Sequence, residues 1–131
     1  MTEQAKALGI LSIARKARKI ELGEEPVTAL ARQGRARLVL VASDAGEATK
    51  RKAERLVSGT RQQLLTVPFD KAALGGAMGW SDCAVAAFAD ISLAAAFVKA
   101  LQPAEPYAEL LERLEAKQAR FRKRAGTKKK K

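Results

Sequence analysis

Lysine and arginine carry most of the chemistry available to this chain, and they come in clusters. Arg15, Lys16, Arg18 and Lys19 form one group, Arg35 and Arg37 a second, Lys50, Arg51, Lys52 and Arg55 a third, and Lys128-Lys129-Lys130-Lys131 closes the sequence. The 131 residues include 25 basic and 14 acidic ones, for a formal net charge of +11. Beyond Gln102, 10 basic residues stand against 4 acidic ones, so more than half the excess lies in the last part of the chain. Clustered cations neutralise phosphates and release condensed counterions, which makes nucleic acid the expected partner. A membrane surface is the weaker partner, because the C-terminal segment has few large apolar side chains to insert. Trp80, the only tryptophan, offers a ring that can stack on an unpaired base, a contact worth about 1–3 kcal/mol in single-strand binding. The plainer use of the same ring is to cap the core.

Other chemistries lack their residues. Without histidine the commonest metal ligand and general base are missing. The single cysteine, Cys83, excludes an internal disulfide and suits a reducing compartment. It opens an apolar run with no histidine to activate it, so it reads as a small buried hydrophobe. Gly75-Gly76 and Gly79 are not followed by the Lys-Ser/Thr of a phosphate-cradling loop. Asp44, Asp70, Asp82 and Asp90 read as helix caps or loop acids. The expectation is a noncatalytic protein with no cofactor and no metal. No apolar run approaches the roughly 20 residues that span a bilayer, and the opening MTEQAKALGILSIARKARK lacks a signal-peptide pattern. A soluble, cytoplasmic monomer is expected.

The elements that position these residues follow from periodicity. Leu8, Leu11 and Ala14 have helical spacing, and Lys16, Arg18 and Lys19 place positive charge at the negative helix end. Ile20-Glu21-Leu22 is a short strand. Gly23 permits a backbone that other residues resist, and Pro26 suits a helix first turn, so a helix starts near Glu24 to Pro26. Glu24 and Glu25 favour its positive end, Val27, Leu30 and Ala31 form its apolar stripe, and Gly34 ends it. Leu38 to Ala42 is apolar without alternation, as in a central, largely parallel strand covered on both faces. Ser43 or Asp44 caps the next helix, with Glu47 completing a capping box; Lys50, Arg51, Lys52 and Arg55 lie on its solvated face.

Leu64 to Val67 is a third strand, Lys71 to Met78 a short helix ended by Gly79, and Cys83 to Ala89 a fourth strand. Asp90 or Ser92 caps a helix through Phe97 and Leu101. The alternation predicts helices covering a mixed, mostly buried sheet. Pro103 and Pro106 mark a boundary. Beyond it Tyr107, Leu110, Leu111, Leu114 and Phe121 share one helix face, and Glu109 and Arg113 form an i,i+4 pair. The expected divisions are a domain over 1–102, an amphipathic helix over 103–125 and a disordered lysine tail over 126–131. That tail serves either as an RNA anchor or as a solubilising end.

Read in this order, the chain resembles the L-seven-Ae-type ribosomal proteins that bind kink-turn RNA, and particularly their small bacterial YlxQ-like relatives. The resemblance covers roughly residues 4 to 101. It rests on Leu8-Gly9-Ile10-Leu11-Ser12-Ile13-Ala14-Arg15-Lys16-Ala17, on Gly23 with Val27 and Thr28, on the run from Gly34 to Ala45, and on Leu74-Gly75 ahead of Gly79. It implies an α/β fold, a three-layer α/β/α sandwich, to which the C-terminal helix and basic tail are added.

In family members that bind kink-turns, the turn into the second helix reads RNA with a Gly-x-Asn-Glu-x-x-Lys pattern. Here Gly23, Glu25, Pro26 and Ala29 occupy those positions, and only the glycine matches. Donors for guanine edges are therefore missing, and Glu24-Glu25 set negative charge where phosphates would approach. The family's second contact is the loop ahead of the last strand, here Gly79-Trp80-Ser81-Asp82.

The expected RNA-facing set is therefore Lys16, Arg18, Lys19, Gly23, Glu24, Glu25, Arg35, Arg37, Lys71, Trp80 and Ser81, with Arg15, Lys16, Arg18, Lys19, Arg35 and Arg37 forming a phosphate rim close to the Gly23 turn. The expected function is noncatalytic binding of structured RNA, ribosomal or related, without strict kink-turn recognition. The alternative is an adaptor of the transcription-translation machinery, with the Leu110/Leu111/Leu114 helix docking on a protein partner or on the chain's own sandwich and only nonspecific RNA contact.

Overall fold

The computed structural model describes residues 3–101 and 107–129, with side chains over 4–101 and 107–123. Strands β1 (Ile20–Leu22), β2 (Leu38–Val41), β3 (Leu64–Thr66) and β4 (Val85–Phe88) form one sheet in the order β1-β4-β2-β3. β2 and β4 are buried at every residue and occupy the centre. β1 alternates buried and exposed positions at one edge, and β3 is partly exposed at the other. β2 runs parallel to β3, with Val39 opposite Leu64, but antiparallel to β4, where Leu38 faces Phe88 and Val41 faces Val85. The sheet is thus mixed, and β2 is not the largely parallel strand expected. An unbroken apolar run reports cover on both faces, not the direction of its neighbours.

That cover comes from α1 (Glu3–Lys16), packed against α4 (Lys71–Ala77) and α5 (Ile91–Ala100), and from α2 (Glu24–Arg32), packed against α3 (Glu47–Val57). The result is a three-layer α/β/α sandwich. Its core runs from Leu11 and Ala14 through Val39, Leu40 and Phe88 to Phe97 and Val98, all essentially inaccessible to solvent. The sixth helix, α6 (Ala108–Lys129), lies on α5 with Leu114 buried and Leu110, Leu111 and Phe121 partly buried against the core. Its apolar face is therefore used on the chain's own sandwich. The backbone helix extends through Lys129, past Gly126. Pro103, Pro106, Lys130 and Lys131 lie outside the described residues. Among the described residues no helix is long and apolar enough to cross a membrane.

Helix ends follow the expected chemistry with one exception. Asp70 Oδ1 accepts from Ala73 N–H and Asp90 Oδ1 from Ser92 N–H, each as an N-cap. α3, however, is capped by Gly46 without a side-chain bond, three residues beyond Ser43. Asp44 lies too early to form the capping box, and its carboxylate instead accepts Lys71 N–H at 2.8 Å, tying the β2–α3 loop to the start of α4.

Candidate nucleic-acid interface

The register of the strands sorts the candidate residues between two ends of the sheet. At one end, Ala89 N–H donates to Lys19 O and Arg37 N–H to Phe88 O. At the other, Gly23 N–H donates to Val85 O and Ala42 N–H to Ala84 O. Lys19 and Gly23 are four residues apart along β1, about 13 Å at the rise of a strand. Lys16, Arg18, Lys19, Arg35 and Arg37 all belong to the first end, because α1 finishes there, α2 leads the chain away from Gly23, and β2 starts there. The rim expected beside the Gly23 turn is thus at the opposite end of the sheet.

The Gly23 end joins two loops. Gly23 has φ 92, a left-handed conformation suited to glycine, and its carbonyl accepts Val27 N–H to begin α2. Trp80 lies directly over it: the indole Cη2 is 3.5 Å from where a Cβ on Gly23 would stand. The Trp80 backbone is held by its N–H to Gly75 O at 2.8 Å, and the loop closes through Cys83 N–H to Lys71 O at 2.9 Å. Trp80 therefore neither caps the core nor stands free. One edge rests on the glycine turn while 42% of the residue remains exposed. Ser81 and Asp82 are exposed beside it, and Lys71 is half-buried at the loop's base. Glu24 is exposed and paired with Lys52 at 3.6 Å; Glu25 is exposed. Solvent-exposed pairs of this kind contribute little to stability. Burial raises the Cys83 thiol above its ordinary pKa, and Sγ donates to Val85 O, so this residue is structural, as its apolar neighbours suggested.

Gly75 is the hidden constraint on this surface. A Cβ on it would meet the Asp82 backbone at 2.6 Å, so the Trp80 loop folds back on α4 only because that position carries no side chain.

The opposite end is basic. α1 stops in a Schellman turn, with Lys19 N–H on Ala14 O and Arg18 N–H on Arg15 O, and Arg18 takes the left-handed conformation at φ 59 where glycine is usual. Arg37 is half-buried, with its guanidinium 4.9 Å from the centre of the Phe121 ring on α6. Desolvation, and then the charge of Arg35, lower its pKa. Gln62, the one buried polar residue among those described, accepts Ala36 N–H at 2.9 Å and donates to Ala31 O, fastening the loop before β3 to the loop before β2.

These contacts bring four further cations to this end: Arg61, Arg113, Lys117 and Arg120, none of them in the expected set. Part of the signal was legible. Positions 113, 117 and 120 follow i, i+4, i+7 and so share a helix face. The nearness of Arg37 and Arg61 needed the fold.

Comparison with known proteins gives a consistent result. The profile of the Ribosomal protein L7Ae/L30e/S12e/Gadd45 family matches residues 5–95. A solved protein of unknown function from Bacillus halodurans is 32% identical, covering 71% of this chain and 97% of its own, with a TM-score of 0.64. The 15.5kD RNA binding protein of Giardia lamblia shares the fold with a TM-score of 0.63 at 17% identity, covering 81% of this chain and 90% of its own. No curated protein matches the chain.

Proposed function

Since the chain belongs to the Ribosomal protein L7Ae/L30e/S12e/Gadd45 family, we propose that it is a noncatalytic RNA-binding protein of the YlxQ-like branch, a cytoplasmic monomer that engages structured RNA of the ribosomal or transcription-translation machinery. The observation that carries this reading is the placement of Trp80 over Gly23. It merges the glycine turn and the following loop into one surface with an exposed indole edge, suited to stacking on a base splayed from an internal loop. Glu25, Pro26 and Ala29 replace the amide, carboxylate and lysine of the kink-turn pattern. Recognition at this end thus rests on stacking and shape, with no strict kink-turn preference. For the adaptor alternative, the Leu110/Leu111/Leu114 face lies on α5, so a protein partner would have to bind another surface.

The test is a direct competition. A hairpin with an internal loop should bind more tightly than the matched uninterrupted duplex, whether or not that loop has a kink-turn sequence. Equal affinity for loop and duplex refutes recognition at the Trp80 surface. A strong preference for the kink-turn alone refutes the relaxed specificity. Crosslinking in cells followed by sequencing of bound RNA would identify the target.

A further inference from the structure

A cleft of about 270 Å³ opens between α6 and the loop before β3, lined by Arg61, Gln63, Arg113, Leu114, Lys117 and Arg120. Arg113 is paired with Glu109 one turn earlier on α6. Arg61, Lys117 and Arg120 form no ion pair among the described residues, nor does Arg37 nearby. Burial, and then the charges of Arg37, Arg120 and Arg61, push the half-buried Lys117 ammonium below its ordinary pKa. Cations gathered this closely repel one another, and the apolar docking of Leu114 and the seating of Arg37 on Phe121 hold them together. An arrangement that opposes folding electrostatically becomes favourable once an anion enters.

We propose that this cleft is a second RNA site, one that grips the phosphate backbone at the end of the sheet opposite Trp80. The proposal rests on the reading that the chain binds RNA. A backbone fits better than a small anion because the charges form a line. From Arg113 to Arg120 the helix rises about 10 Å, a length over which a duplex strand presents roughly three phosphates. Arg61 and Arg37 widen the line toward the sheet. The two sites divide the work: stacking at the Trp80 end selects an unpaired base, and the α6 end supplies affinity without sequence preference. An RNA occupying both must run along the strands.

The test compares the full chain with the Arg61→Gln/Lys117→Gln/Arg120→Gln variant and with Trp80→Ala, measuring affinity for an internal-loop hairpin across a salt series. Removing three phosphate contacts should lower the slope of log K against log salt by about 2–3 and weaken binding at least about tenfold at low salt. Its melting temperature should be unchanged or higher, since repulsion is relieved. Trp80→Ala should weaken binding with the slope intact. If the triple variant keeps the native slope and affinity while Trp80→Ala weakens binding, the second site is wrong and the proposed function stands. If the native chain binds neither the hairpin nor the duplex, both are overturned.

Discussion

Two adjacent glycines in α4 should respond to alanine with opposite signs. Gly76 is exposed, and a Cβ there meets nothing within 4 Å. Gly76→Ala therefore gains helix propensity alone, a stabilisation of about 0.5–1 kcal/mol. Gly75 is buried, and its Cβ would stand 2.6 Å from Asp82 Cα and carbonyl carbon. Carbon atoms prefer about 3.5–4.0 Å, so the overlap is roughly 1 Å against backbone, which cannot rotate away as a side chain would. That backbone is also tethered by the bonds from Trp80 N–H to Gly75 O and from Cys83 N–H to Lys71 O. Overpacking of this kind costs about 1–3 kcal/mol, and the propensity gain offsets part of it, leaving a net loss of up to about 2 kcal/mol. The propensity gain is common to both, so the two variants should differ by the overpacking cost, about 1–3 kcal/mol, read in urea denaturation as a midpoint separation of about 1 M. RNA affinity supplies a second readout. Gly75→Ala should weaken binding because it displaces the Trp80 loop, while Gly76→Ala should leave it alone. A Gly75→Ala protein as stable as Gly76→Ala, with native RNA affinity, would falsify both the close approach and its link to the binding surface.

Other outcomes follow from the same geometry. Trp80→Ala should reduce RNA affinity by about 1–3 kcal/mol, and a variant that keeps both its melting temperature and its affinity rules out stacking. Arg18→Gly relieves a left-handed backbone that costs a non-glycine residue about 1–2 kcal/mol. It should raise stability by about 1 kcal/mol in equilibrium unfolding, and no gain would show that the turn is unstrained. Deleting residues 103–131 removes 10 basic and 4 acidic residues and should flatten the salt dependence of RNA binding; an unchanged slope refutes any role for α6 and the tail as an anchor. The same deletion uncovers α5 and removes buried Leu114, so unfolding should shift down by at least the 2–5 kcal/mol typical of a lost core leucine. Unaltered stability would mean that α6 adds nothing to the sandwich.

Much of the fold was legible because its signals are local. Gly23, Gly34 and Gly79, read as turn or stop residues, all have positive φ, and Asp90 caps the helix assigned to it. The Asp44 capping box failed because a spacing match cannot show where a helix begins, and the carboxylate found Lys71 N–H across the fold instead. Gly75 gave no sign of its close approach, since its neighbour Asp82 is brought there by a loop.

The sequence alone determined the order of helices and strands, the apolar centre of the sheet and the excess of positive charge, because periodicity and composition are properties of neighbouring residues. Tertiary structure decided where the charge went. Strand direction carried Lys19 and Gly23 to opposite ends, Trp80 was laid on Gly23, and α6 docked on α5 to bring Lys117 and Arg120 toward Arg61 and Arg37. Such juxtapositions join residues far apart in the chain, and only the packing of the elements sets the distance between them.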